Sequence, residues 1–249
     1  MRTLIRLSWV ELKLFVREPM TVVFSLALPV IILFVLGGVF GNEVSQPGDE
    51  VVFRGVGPMT YYVPAYLALV VASVCVISIP THLAGNRERG VLKRFHASSV
   101  GAWAIAGAEL AVAFVLSLVS GVILLTVAAL VYEFDWAASL PKVLGVLVLL
   151  TVGFAAFGIL LGAVLPTARA AQAIGMLVWF VMLFLGGAGP PPEVLTDAMQ
   201  TVSKFTPLWH AVRMMQDAWI GLDAGLSWLI FAGFGVASAI LGLRFFRWE

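Results

Sequence analysis

Long apolar runs alternate with short polar segments along the chain. The runs approach or exceed the about 20 residues that a helix needs to cross the apolar core of a bilayer. The pattern predicts an all-α membrane protein with six transmembrane helices, because a helix satisfies its own backbone polar groups in lipid. The predicted spans are 21–40, 61–83, 104–131, 143–165, 172–187 and 226–243.

The segment before the first span, residues 2–18, has the pattern of an amphipathic helix that lies on the membrane surface. At about 100° per residue, its four basic side chains fall within an arc of roughly 60°. Leucine and phenylalanine side chains occupy much of the opposite side, and Trp9 suits the headgroup level. Pro19 ends or bends this helix. A second interpretation is that the segment is a charged flank that only orients the first span.

The segment before the last span, residues 187–223, has a helical pattern but is too polar to cross a membrane. Three consecutive prolines, Pro190 to Pro192, stop the preceding helix, and Pro207 divides the remainder into two short helices. The pattern predicts either a pair of re-entrant helices that dip into the outer leaflet or a small cap on the membrane surface.

Composition excludes a soluble globular protein. Hydrophobic residues make up 61% of the chain and the mean hydropathy is +1.03, whereas globular domains are roughly 45–50% apolar. Cys75 is the only cysteine, so no disulfide can form within the chain. The sequence has neither a phosphate-binding glycine-rich loop nor a zinc-binding histidine helix. A membrane-embedded enzyme is therefore the weaker alternative.

Charged residues separate between the two sides of the predicted membrane. Basic residues in short loops are kept on the cytoplasmic side. With the N-terminus inside, most of the 15 lysines and arginines fall on cytoplasmic segments and most of the 14 acidic residues fall outside. The pattern predicts cytoplasmic N- and C-termini.

Residues 86–99 form a strongly basic cytoplasmic loop between the second and third spans. We expect Asn86 to cap a short helix, with Glu88 in its first turn at the positive end of the helix dipole. Leu92 and Phe95 lie three positions apart and share a helical face. The loop carries Arg87, Arg89, Lys93 and Arg94, whose charges suit an acidic partner surface, anionic lipid headgroups, or orientation of the spans alone.

Glu109 is the acidic residue that falls inside a predicted span. Ionisable residues within spans are candidates for a functional role. Glu109 is also close enough to the cytoplasmic end of its span to reach the interface. We expect His82, on the other side of the basic loop, to be interfacial as well.

Three motifs and their order resemble the membrane subunit of ABC-2 type exporters, the group that includes drug and antibiotic efflux permeases. Arg17-Glu18-Pro19 precedes the first span, Glu88-Arg89 and Leu92-Lys93-Arg94 follow the second, and a segment from Pro207 to Gly221 precedes the last. The resemblance covers the whole chain and implies one transmembrane domain over residues 1–249.

The resemblance implies a division of labour between chains. Two permease subunits, either two copies or this chain with a related one, would pair in the cell membrane around a central pathway. Two ABC ATPase subunits would bind below and carry ATP and Mg²⁺, while this chain would bind no cofactor, metal or nucleic acid. Residues 2–18 would be the connecting helix, 86–99 the coupling loop, and 187–223 the extracellular re-entrant segment that closes the exit. The implied ATPase-coupling residues are Arg87, Glu88, Arg89, Leu92, Lys93, Arg94 and Phe95.

The resemblance also implies that the second and fifth spans line the pathway. That would make Tyr66, Trp179, Phe180 and Phe184 substrate contacts, although the same aromatics could face lipid or pack within the protein. An aromatic, weakly charged interior would suit hydrophobic or amphiphilic cargo, such as a drug, an antibiotic, a lipid or a lipid-linked molecule. The main alternative is a secondary transporter or channel driven by an ion gradient, which favours several ionisable residues in the spans.

Overall fold

The computed structural model describes residues 23–40, 52–98, 101–223 and 225–246. Helices dominate, and no strand occurs within these residues, which confirms the all-α prediction. The helices are α1 (Leu28–Phe40, preceded by a π-helical turn at Val23–Ala27), α2 (Pro58–Glu88), α3 (Val91–Ala97), α4 (Ala102–Val131), α5 (Leu140–Val164), α6 (Ala168–Leu185), α7 (Asp197–Ser203), α8 (Pro207–Ile220) and α9 (Ser227–Phe245). A short 3₁₀ turn, Pro192–Val194, follows α6.

Five of the described helices are long and apolar enough to cross a membrane: α2, α4, α5, α6 and α9. The first predicted span is represented by α1, which is shorter, and the residues on both of its flanks lie outside the described ranges. The predicted interfacial helix at 2–18 also lies outside them. Two predicted boundaries are wrong. α2 continues past residue 83 to Glu88, and α6 begins at Ala168 because Thr167 caps it, its hydroxyl accepting the N–H of Ala170 at 3.1 Å.

α2 forms the centre of the bundle. It packs against α1, α4, α5, α6 and α8, and every residue from Pro58 to Pro80 is buried. Tyr61, Tyr62 and Tyr66, near the start of α2, are among the largest fully buried side chains. The hydroxyl of Tyr62 donates to the carbonyl oxygen of Gly189 at 3.2 Å, so the start of α2 is tied to the loop that follows α6.

The middle of α2 is a π-helical turn at Val74–Ser78. Pro80 lies two residues beyond its end and has no N–H to donate, which removes one bond of the regular α-helical ladder. Glycines of two neighbouring helices pack directly against the backbone of this buried turn. A Cβ atom on Gly158 of α5 would collide with the carbonyl oxygen of Cys75, and one on Gly175 of α6 would lie 2.6 Å from that of Val76. The absence of side chains at these two glycines thus allows α5 and α6 to pack closely against α2.

The loops gather at two ends of the bundle. At the end called here the basic end, residues 86–98 lie beside the 165–169 loop and the end of α9. At the opposite end, Thr60 contacts Asp135, and the indole N–H of Trp219 donates to the carbonyl oxygen of Asp135 at 2.8 Å. The predicted grouping of loops onto two faces is confirmed for the described residues.

Candidate functional site

The basic end is built around a sharp turn between α2 and α3. Gly90 makes this turn with a φ of +67°, a left-handed conformation that glycine adopts without strain. The prediction that Asn86 caps a new helix is wrong, because Asn86 lies in the last turn of α2. Its side-chain oxygen instead accepts from Arg89 Nη2 at 3.0 Å, which steadies the turn.

Arg87 points inward, onto the end of α5. Its Nη1 donates to the carbonyl oxygens of Gly162 and Ala163, each at 3.1 Å, and its Nη2 donates to that of Leu165. The last carbonyls of a helix have no partner within the helix and form the negative end of its dipole. Arg87 therefore caps α5, and the prediction that it offers its charge to a partner is wrong for this conformation.

Glu88 makes the complementary contact with α6. Its carboxylate accepts the backbone N–H of Ala168, the first residue of that helix, at 3.1 Å. A carboxylate is favourable at the positive end of a helix dipole. Two adjacent residues of opposite charge thus hold the two helix ends on either side of the 165–167 loop. This pair of contacts is called the Arg87–Glu88 clip below.

α3 has one face toward the protein and one toward solvent. Leu92 is fully buried with Leu83 and Ile105, and Phe95 packs half-buried against the same cluster. The prediction that Leu92 docks into a partner is therefore wrong, since it anchors α3 to the bundle. Arg89 of the turn and Lys93 and Arg94 of α3 have exposed side chains.

The four aromatic residues predicted to line a pathway do not share one surface. Tyr66 and Trp179 are fully buried, and the indole N–H of Trp179 donates to Ser73 Oγ at 2.5 Å. Their placement fits the alternative that they pack within the protein. Phe180 and Phe184 instead lie on the outside of α6, 39% and 58% exposed.

The two ionisable residues near the basic end are both inside the protein. Glu109 is 4% exposed and lies on the buried face of α4 with Ile105 and Val112. His82 is 6% exposed. Both side chains therefore face neighbouring helices rather than the surroundings of the bundle.

The opposite end holds the two short helices predicted from Pro207, now α7 and α8. Most of α8 is buried, and at 14 residues it is too short to span. Arg54 holds it in place, donating to Asp217 Oδ1 at 2.5 Å and to Gln216 Oε1 at 3.1 Å. The sequence analysis missed this pairing. The signal in the sequence was Arg54 itself, because it is the single basic residue of the otherwise acidic 41–60 loop.

No group of three His, Cys, Asp or Glu side chains that could hold a metal ion occurs in the described part of the chain. A family model described as ABC-2 type transporter matches residues 2–219, which is most of the sequence. The chain belongs to the ABC-2 type transporter family. Comparison with curated proteins finds no match.

The family match runs from the start of the chain to the penultimate residue of α8. It therefore includes both the basic end, with α3 and the Arg87–Glu88 clip, and the short helices of the opposite end. In this ABC-2 family protein the basic end combines exposed cations on α3 with buried contacts that lead into α5 and α6.

Proposed function

We propose that this chain is the permease subunit of an ATP-driven exporter, with ATP and Mg²⁺ bound by a separate ABC ATPase. Membership of the ABC-2 type transporter family supports this assignment. The observation that carries it is the position of α3, a short helix between two spans with exposed cations on its surface and the clip beside it.

Two groups of residues have separate tasks in this proposal. Arg89, Lys93 and Arg94 would meet an acidic rim of the ATPase, because they are exposed. Leu92 and Phe95 would hold α3 to the bundle, so that a displacement of α3 moves α2 with it. Arg87 and Glu88 would pass that displacement to the ends of α5 and α6, which makes them positioning residues rather than docking residues.

The remaining architecture follows the same proposal. The chain would have six spans in the cell membrane, with the basic end and both termini in the cytoplasm. It would pair with a second copy or a related permease, and the exposed Phe180 and Phe184 of α6 suit that contact or the pathway beside it. Residues 2–18 would form the connecting helix, and 187–223 the re-entrant segment at the outer exit. The cargo would be hydrophobic or amphiphilic, such as a drug, an antibiotic, a lipid or a lipid-linked molecule.

Charge reversal tests the docking surface. The partner ABC ATPase would be co-purified with the K93E/R94E variant and with a control variant, R169E/R244E. The control changes the same total charge at exposed positions of the same end. We expect ATPase binding and ATP-dependent efflux from vesicles to be lost in K93E/R94E and kept in the control. Equal binding by both variants would contradict the coupling role of α3.

The buried Glu109 favours a second candidate, transport driven by a proton gradient. A buried acidic residue in a span is a common proton carrier. Vesicles that contain this chain without an ATPase separate the two functions. Efflux driven by a pH gradient, and its loss in Glu109→Gln, would support the second candidate over the first. ATP-dependent efflux that persists in Glu109→Gln would exclude it.

A further inference from the structure

A cavity of about 670 Å³ opens at the end of the bundle opposite α3, between α8 and the start of α9. Its volume is within the range of roughly 300–1,000 Å³ that small-molecule sites occupy. It lies at the opposite end from α3 and is formed largely by residues of the 187–223 segment, to which the proposed function gives only the role of closing the exit.

The charges that line the cavity do not balance. Its two acidic residues both have basic partners, since Asp217 pairs with Arg54 at 2.5 Å and Asp223 lies 3.7 Å from Lys142. Lys204 and Arg213 also line the cavity, and no carboxylate among the described residues pairs with either. The cavity therefore has an excess of positive charge.

Arg213 and His210 are held in place by their neighbours. The guanidinium carbon of Arg213 lies 5.8 Å from the ring centroid of Trp209, within the range of a cation–π contact. His210 is 5% exposed and its Nε2–H donates to the carbonyl oxygen of Lys204 at 2.9 Å. Its Nδ1 is buried without a hydrogen-bond partner in the described ranges. The cation–π contact thus holds the guanidinium of Arg213 in place, while the unprotonated Nδ1 of His210 is an acceptor and adds no positive charge.

The other wall of the cavity is apolar and continues onto the outside of a span. Leu226 and Ile230 line the cavity and are 65% and 45% exposed. They lie at the start of α9, whose outer face carries further exposed apolar side chains such as Leu229. A ligand that occupies the cavity therefore meets cations on one side and exposed hydrocarbon on the other.

We propose that this cavity binds the phosphate or carboxylate headgroup of an anionic membrane amphiphile. Lys204 and Arg213 would hold the anion, because charge-assisted hydrogen bonds to such groups are strong. Leu226 and Ile230 would lie against the first methylene groups of its chain. The site needs neither an ATPase partner nor transport, so it extends beyond the proposed function.

Binding of dodecyl phosphate tests the proposal directly. The probe would be titrated into the full chain in phosphatidylcholine nanodiscs, with saturable binding read by native mass spectrometry. The variant K204Q/R213Q removes the two unpaired cations, and R169Q/R244Q removes two exposed cations at the basic end as a matched control. We expect the first variant to bind about tenfold more weakly or worse, and the control to bind like the wild type.

Two further probes test whether the site requires a negative headgroup and whether it requires the attached hydrocarbon chain. Dodecyltrimethylammonium has the same chain with a positive headgroup and should not compete for the site. Inorganic phosphate should compete only weakly, since it lacks the chain. Strong competition by inorganic phosphate would show a free-anion site and overturn the amphiphile proposal. Equal binding of the cationic probe, or unchanged binding by K204Q/R213Q, would overturn it as well.

A single substitution provides a second test in case the K204Q/R213Q variant does not fold. Lys204 has an exposed side chain, so Lys204→Glu should fold, and it reverses one charge of the site. It should weaken dodecyl phosphate binding at unchanged thermal stability. Wild-type affinity in this folded variant would count against the site.

Discussion

Arg87, near the end of α2, donates a hydrogen bond to the carbonyl oxygen of Leu165, the residue that follows α5, across 78 positions of the chain. Together with the contact of Glu88 at the start of α6, this bond ties the turn between α2 and α3 to the ends of two other helices. A displacement of this end of α2 would therefore act on α5 and α6 at the same time. The first prediction concerns this link.

Replacement of Arg87 by alanine should destabilise the protein. The change leaves the last carbonyls of α5 without their cationic donor, and hydrogen bonds to charged groups contribute about 1.5–3 kcal/mol. Arg94→Ala is the control, because its side chain is exposed and should cost less than about 0.5 kcal/mol. Thermal unfolding in detergent measures both. Equal unfolding temperatures would contradict the structural role of Arg87.

The second prediction separates the two apolar side chains of α3. Leu92→Ala should lower the free energy of unfolding by about 2–4 kcal/mol, because it leaves a cavity beside Leu83 and Ile105. Phe95→Ala should cost less, since its ring is already half-exposed, and should act mainly on ATPase stimulation by transport cargo. Unfolding curves and ATPase assays of both variants check this order. A larger loss of stability in Phe95→Ala than in Leu92→Ala would contradict this prediction.

The third prediction concerns the packing of the π-helical turn in α2. Gly158→Ala should destabilise the bundle by about 1–3 kcal/mol, because the new Cβ meets the carbonyl oxygen of Cys75. Gly145→Ala, on the same helix, meets no atom within 4 Å. It should be neutral or should stabilise α5 by up to about 1 kcal/mol through helix propensity. Similar melting temperatures for the two variants would argue against a close α2–α5 contact.

The fourth prediction tests which end of the bundle faces out. A cysteine at Asp223, whose side chain is fully exposed, should react from outside intact cells with a membrane-impermeant maleimide. A cysteine at Arg94 should react only after the cells are opened. Cys75 is buried and should not contribute to the labelling. Asp217 is unsuitable for this purpose, because it is buried and pairs with Arg54. The reverse labelling pattern would overturn the proposed orientation.

The fifth prediction concerns pH at the opposite end. Burial lowers the pKa of His210 below its usual value of 6.5, opposed by the hydrogen bond to the carbonyl of Lys204. The facing charges are Lys204, Arg213 and the Arg54–Asp217 pair. As pH falls through 6.5 the unfolded chain takes up a proton that the folded chain resists, so stability should decrease. His210→Gln should flatten this dependence in melting curves between about pH 5 and pH 8. An unchanged slope would exclude His210 as its source.

Much of the architecture was predictable from local pattern. The thickness of a bilayer requires long apolar runs, so the length of five of the runs identified helices α2, α4, α5, α6 and α9. Pro207 and the three prolines before residue 193 marked the division into short helices, because proline cannot continue a helix from its interior. The basic loop at 86–99 was likewise visible as charge alone.

The arrangement of these elements was not predictable in the same way. Lipid is as apolar as leucine, so an apolar helix can face the membrane or the protein with the same composition. For this reason the burial of Tyr66, Trp179 and all of the middle of α2 appears only in the fold. Charge has the same ambiguity, since a basic side chain suits a partner, a lipid headgroup or a helix end. The carbonyls that bind Arg87 come from residues 75 to 78 positions away, and only the packing of α2 beside α5 brings them within reach.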